Sequence, residues 1–94
     1  GDMGASMVED ASRPLENFAA HIPKMKAFHQ RYMCANKVIR LWVNMVRQMD
    51  VEMIVPQHGT AFVGKEQINQ FLDWIETLEC GVDLMDESVF TCPT

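Results

Sequence analysis

Positive charge is scarce in this chain: 8 Lys and Arg stand against 13 Asp and Glu, for a formal charge of -5. A basic footprint for nucleic acid or an anionic membrane is therefore missing, and both are excluded as main partners. Long apolar runs are missing too, since no stretch approaches the roughly 20 residues that a membrane-spanning helix needs. The 3 cysteines, Cys34, Cys80 and Cys92, form no Cys-x-x-Cys pair, and these residues hold no leader-like pattern of positive charge followed by apolar residues. A disulfide framework is not indicated, and a reducing, cytoplasmic setting is the expectation. There is no Gly-rich phosphate loop, no Gly-x-Ser-x-Gly and no His beside a Cys, so phosphoryl transfer and nucleophilic catalysis lack their residues.

What is present is a folding-competent composition. Of the 94 residues, 48% are hydrophobic, which is ordinary for a globular domain and too high for intrinsic disorder. A chain of this size buries only about 60 to 65% of the surface its unfolded form exposes, which leaves room for one core. The 8 Met fit an adaptable core or interface, because no Met-x-x-Met pairing accompanies Cys or His as a soft-metal site would want.

Periodicity divides the chain. Residues 1 to 12 read as a loop, and Ser12, Pro14 and Glu16 resemble a helix start with a cap, a first-turn proline and an acid near the dipole's positive end. Pro23 should bend or restart that helix, leaving Met25, Phe28, His29 and Tyr32 on one face of the second piece. From Asn36 to Met49 a wide apolar stripe predicts a central helix covered on more than one flank. Val51 to Val55 reads as a short buried strand ended by Pro56. A turn or hairpin around Phe62 and Val63 follows, and then an amphipathic helix through Ile68, Phe71, Leu72, Ile75 and Leu78, ending before Gly81. Residues 81 to 94 make an acidic tail with Asp83, Asp86 and Glu87, expected to be partly ordered at best.

Few residues offer chemistry. His58 stands in Pro-Gln-His-Gly, just past a strand, where open α/β sheets carry ligands, and neutral imidazole is a common metal ligand. A structural role is the commoner fate of such a histidine. Asp2, in Gly-Asp-Met-Gly-Ala-Ser, suits a hard cation or, more commonly, a turn that bonds its own backbone. His29 and Tyr32, three residues apart, suit a polar pair near a pocket or an amphipathic helix with wet polar tips.

Taken together, Gly-Asp-x-Gly-Ala-Ser (1 to 6), Phe-His-Gln-Arg-Tyr-Met (28 to 33), Asn36-Lys37, Leu41-Trp42, Ile-Val-Pro-Gln-His-Gly (54 to 59) and the helix through Phe71, Leu72 and Trp74 carry a resemblance. Over residues 1 to 80 the chain resembles the C-terminal part of metallo-β-lactamase-fold di-iron proteins. It is most similar to the oxygen-binding di-iron proteins, which are relatives of the flavodiiron proteins without the flavodoxin domain. The resemblance implies an α/β fold, mostly helical as an isolated chain: the C-terminal half of an αββα sandwich, with about three helices and one or two short strands. It implies a di-iron centre that binds or reduces dioxygen or nitric oxide, with Asp2 as the bridging carboxylate, His58 as the last histidine ligand and Tyr32 near the metal pocket.

The family's His-x-Glu-x-Asp-His cluster does not occur in these residues, so the di-iron centre is expected to be incomplete or absent in this chain alone and the isolated chain inactive. The Gly-Asp start coincides with a strand end inside the family's fold, and the expectation is the C-terminal half of a longer protein. Its partners would be the missing N-terminal half or a second copy in a homodimer, because half a sandwich leaves sheet edge and helix faces uncovered. Two other functions fit the same residues: a metal-free helical interaction module, and a zinc hydrolase of the same superfold.

Overall fold

In the computed structural model, residues 3–6, 15–86 and 88 are described. Among them are three helices, α1 (Phe18–Tyr32), α2 (Asn36–Arg47) and α3 (Lys65–Ile75), with an antiparallel hairpin of β1 (Met53–Ile54) and β2 (Phe62–Val63) between α2 and α3. A 3-10 turn, Gly81–Leu84, follows α3. This is the mostly helical α/β architecture expected from the sequence.

Helix α1 starts at Phe18, where the Asn17 side-chain oxygen accepts the Ala20 N–H at 3.2 Å and satisfies one of the donors that every helix start leaves open. The expected start at Ser12 and Pro14 lies outside the described residues. The helix runs through Pro23 as one 15-residue element. Pro23 and Ala19 are both on the solvent side, so the proline ring and the carbonyl it cannot bond face water rather than the core. The inward residues are Phe18, His21, Met25 and His29, at the three- and four-residue spacing of one helix face.

Helix α2 buries Ile39, Val43 and Val46. Cover on several flanks does not hold among the described residues, because Val38, Leu41 and Met45 are more than half exposed. The hairpin also departs from the expected buried strand over 51 to 55: it pairs Met53 with Val63 and Ile54 with Phe62, while Met53 is 54% and Val55 67% exposed. The physical reason is the same in both places. A two-stranded ribbon and a three-helix layer cover only one face of each element, and the second apolar face is left open.

The core lies between α1, α2, α3 and the hairpin. Phe62 and Phe71 are fully buried and stack with ring centroids 4.8 Å apart at 26°, with Phe18 tilted onto Phe62 at 6.2 Å. Helix α3 turns Ile68, Phe71, Leu72 and Ile75 inward, as its periodicity predicts, but it ends at Ile75, well before Gly81. Its C-terminal region is closed by Asn36, whose side-chain amide donates to the Glu76 and Leu78 carbonyls at 2.8 Å each. The expected acidic tail begins with a turn bonded into this unit, since the Val82 N–H donates to the Cys34 carbonyl at 2.9 Å. Among the described residues no helix is long and apolar enough to cross a membrane.

Candidate metal centre

Two loops carry the candidate ligands, and the backbone ties them together. The first is the small-residue loop whose described part is Met3 to Ser6, and the second is the hairpin connection that contains Pro56 to Thr60. The Ser6 N–H donates to the His58 carbonyl at 3.1 Å, and the Ser6 hydroxyl accepts the Thr60 N–H at 3.3 Å. Gly59 permits the approach. Its φ is +126°, and a Cβ there would lie 2.5 Å from Ser6 Oγ and 2.6 Å from Ser6 N. Only glycine accommodates both the turn and the neighbour.

The first loop is held at a second point. The Gly4 N–H donates to Nε2 of His29 at 3.0 Å in a buried hydrogen bond, and Gly4 itself (φ +93°) rests on the Phe62 ring, which a Cβ would meet at 2.8 Å. Nδ1 of His29 lies 2.8 Å from the Met25 carbonyl. The sequence left two roles open for His29 with Tyr32, a polar pair near a pocket or an amphipathic helix with wet polar tips; His29 is fully buried, whereas Tyr32 is exposed. The signal was available in the Phe18, Met25, His29 spacing, which runs along the face opposite the exposed positions of α1.

The sequence-indicated ligands fall as follows. His58 is exposed at the surface of the second loop. Asp2 lies outside the described residues; in the chain it precedes Gly4 by two positions. Tyr32 is 64% exposed, with its ring 4.9 Å from Phe28 and the Arg31 guanidinium 5.5 Å from its centroid. Burial, with Lys24 adding to it, pushes the His21 imidazole below its ordinary range, and its Nε2 has no hydrogen-bond partner among the described residues. Burial, followed by the nearby Asp83 carboxylate, pushes the Cys80 thiol up, which makes it a poor thiolate ligand or nucleophile.

Among the described residues no group of three His, Cys, Asp or Glu could hold a metal ion. An imidazole and a carboxylate are ligand types that suit iron, manganese or zinc.

The chain matches the ODP family beta lactamase over residues 1–59. It belongs to that family. Two solved structures are similar across 95% of the chain. One is a peroxy diiron species of the chemotaxis sensor ODP, at 42% identity with a TM-score of 0.84. The other is the apo state of the chemotaxis sensor ODP from T. denticola, at 43% identity with a TM-score of 0.81. The chain spans 38% and 37% of the lengths of those two proteins. No curated protein matches it. Family and fold therefore support a metallo-β-lactamase-like relative of di-iron proteins.

Proposed function

We propose that this chain is the C-terminal part of a di-iron protein that binds dioxygen in a sensing role, and that it supplies Asp2 as a bridging carboxylate and His58 as a terminal imidazole ligand. The observation that carries the reading is the pair of hydrogen bonds joining Ser6 to His58 and Thr60. They hold together two loops that are more than 50 residues apart in sequence and that each bear one candidate ligand. The similarity to a chemotaxis sensor described as a peroxy diiron species favours dioxygen over nitric oxide and sensing over reduction. A flavodiiron-like reductase that takes electrons from a flavin is the finer alternative within the same site.

A di-iron centre, when bound, supplies vacant coordination positions and the electrons that dioxygen accepts. The residues of this chain do the rest. The Ser6 and Gly59 contacts fix the second loop so that His58 would enter without a large ordering cost, and Tyr32, exposed on α1, would be the phenol O–H available to donate a hydrogen bond there. The rest of the domain is the natural cover for the exposed apolar edge of α2 at Val38, Leu41 and Met45, with a second copy of the chain as the other candidate.

The test joins this chain to the N-terminal part of its domain and measures iron per polypeptide after anaerobic loading. Two irons per polypeptide are expected, with strong loss in both Asp2→Ala and His58→Ala. Unchanged loading in both variants ends the reading, and stoichiometric zinc with no iron uptake would favour a hydrolase of the same superfold.

A further inference from the structure

Cys34 and Cys80 have no part in the candidate centre, yet the fold brings their backbones to one place. Cys34 is an exposed free thiol in the linker between α1 and α2, and Cys80 is a fully buried one at the head of the 3-10 turn. The Val82 N–H donates to the Cys34 carbonyl at 2.9 Å. Gly81, the residue between Cys80 and that bond, is pressed against the linker, so that a Cβ there would lie 2.7 Å from the Cys34 carbonyl carbon. Ordinary bond lengths then put the Cα of Gly81 within about 6 Å of the Cys34 Cα, and that of Cys80 within about 10 Å. A disulfide needs Cα atoms no more than about 7 Å apart, so a shift of about 3 Å or less at the turn brings the pair into range.

The turn is the element able to make that shift. It buries none of its residues, and Val82 and Leu84 are at least half exposed, so local opening uncovers little that is not already in water. The Cys80 sulfur is lodged in it as a cap: it accepts the Asp83 N–H, while the Asp83 carboxylate accepts the Cys80 N–H at 3.0 Å. In the closed turn, burial keeps the Cys80 thiol protonated and unreactive. Opening the turn releases the sulfur beside Cys34.

We propose that Cys34 and Cys80 are a peroxide-responsive thiol pair, which closes to a disulfide when the 3-10 turn opens. This does not rest on Asp2 or His58 as ligands. Cys34 is the point of entry because it is the exposed thiol. Its thiolate attacks one oxygen of hydrogen peroxide, the O–O bond breaks, and the hydroxide that leaves takes up the Cys34 proton as water; the sulfur is oxidised to a sulfenic acid and the peroxide is reduced. The Cys80 sulfur then attacks the Cys34 sulfur, the S–O bond breaks, and the departing hydroxide takes the Cys80 proton as a second water. Two thiols and one peroxide become one disulfide and two waters.

The test treats the reduced polypeptide that includes the N-terminal part of the domain with hydrogen peroxide under native conditions and maps the linkages by peptide mass spectrometry. A Cys34–Cys80 disulfide, lighter than the two thiols by two hydrogen atoms and reversed by dithiothreitol, is expected. Cys34→Ser should leave Cys80 reduced, and Cys80→Ala should halt at a Cys34 sulfenic acid that a cyclic 1,3-dione traps. Asp83→Asn weakens a charge-assisted bond in the turn and should speed disulfide formation by about fivefold or more. A lasting Cys34 sulfenic acid beside reduced Cys80 in the parent overturns the proposal. So does a linkage to Cys92 in place of this bridge, oxidation of Cys80 at the parent rate in Cys34→Ser, or a disulfide that forms only in denaturant. An unchanged rate in Asp83→Asn removes the turn as the gate.

Discussion

The Asn36 N–H that opens α2 donates to the Asp83 carboxylate at 2.5 Å, across 47 residues of chain. The helix has no side-chain cap of its own at Ala35, so its positive end is satisfied from the turn beyond α3. The same carboxylate oxygen accepts the Cys80 N–H at 3.0 Å. One aspartate therefore closes the start of α2 and the start of the 3-10 turn together.

This arrangement predicts an acid-sensitive stability. The Cys80 and Asn36 backbone donors, with Arg40 further off, hold the Asp83 carboxyl below its ordinary value. A carboxylate depressed in the folded state contributes stability above its unfolded pKa near 3.9, and that contribution is lost as pH falls through the lower folded value. Denaturant titrations at pH 7 and pH 3 should show a smaller pH dependence in Asp83→Asn than in the parent. An identical difference in both proteins would contradict the assignment.

Gly59→Ala should loosen the first loop from the second. The new methyl group collides with Ser6, and the positive φ itself costs about 1 to 2 kcal/mol for a residue with a Cβ. At about 4 to 8 °C per kcal/mol for a domain of this size, the melting temperature should fall by roughly 4 °C or more. Hydrogen exchange at the Ser6 amide should accelerate beyond the global change.

Replacing His21 by Leu tests an orphaned polar atom. The imidazole lies edge-on to Phe62 at 5.8 Å, and Nε2 has no partner among the described residues, so an apolar side chain of similar size should be neutral or stabilising by up to about 1 kcal/mol. The His21 pKa is lowered on folding, hence the unfolded chain binds the proton more readily below its pKa of about 6.5, and stability falls as pH drops through that value. His21→Leu should remove this share of the slope between pH 7 and pH 5, read by thermal melts across that range.

Phe62→Ala strikes fold and site at once. Large-to-small changes at buried aromatic positions cost about 3 to 5 kcal/mol, a large fraction of the 5 to 15 kcal/mol or so typical of whole domains. Circular dichroism should report loss of the cooperative melt, whereas Phe62→Leu should retain it at a lower temperature.

Much of the helical layout was legible from residue spacing, because α3 presents one clean apolar stripe and Asn36 does begin a helix. What spacing could not reveal was which stripe of α2 would be covered. Val38, Leu41 and Met45 look as core-like as Ile39, Val43 and Val46, and only the placement of α3 decides between them. Of the two outcomes open at Pro23, a bend or a restart, the helix does not restart, because the proline ring and the carbonyl it cannot bond both face water. At the candidate site, the motifs around Asp2 and His58 carried the signal through resemblance, but the part played by His29 depends on a hydrogen bond to Gly4 that joins residues 25 apart, and no local pattern encodes it.

The bonds that assemble the ligand-bearing edge are long-range: Gly4 to His29 spans 25 residues, Gln67 to the Leu15 carbonyl 52, and Thr60 to Ser6 54. Each can form only after a loop of that length has closed, a cost met before the contact returns anything. The helices can flicker into place early, but the edge that would receive a metal can become competent only once the chain has come together as a whole. If the proposed ligands hold a metal, its capture should accordingly lag behind the appearance of helical signal during refolding.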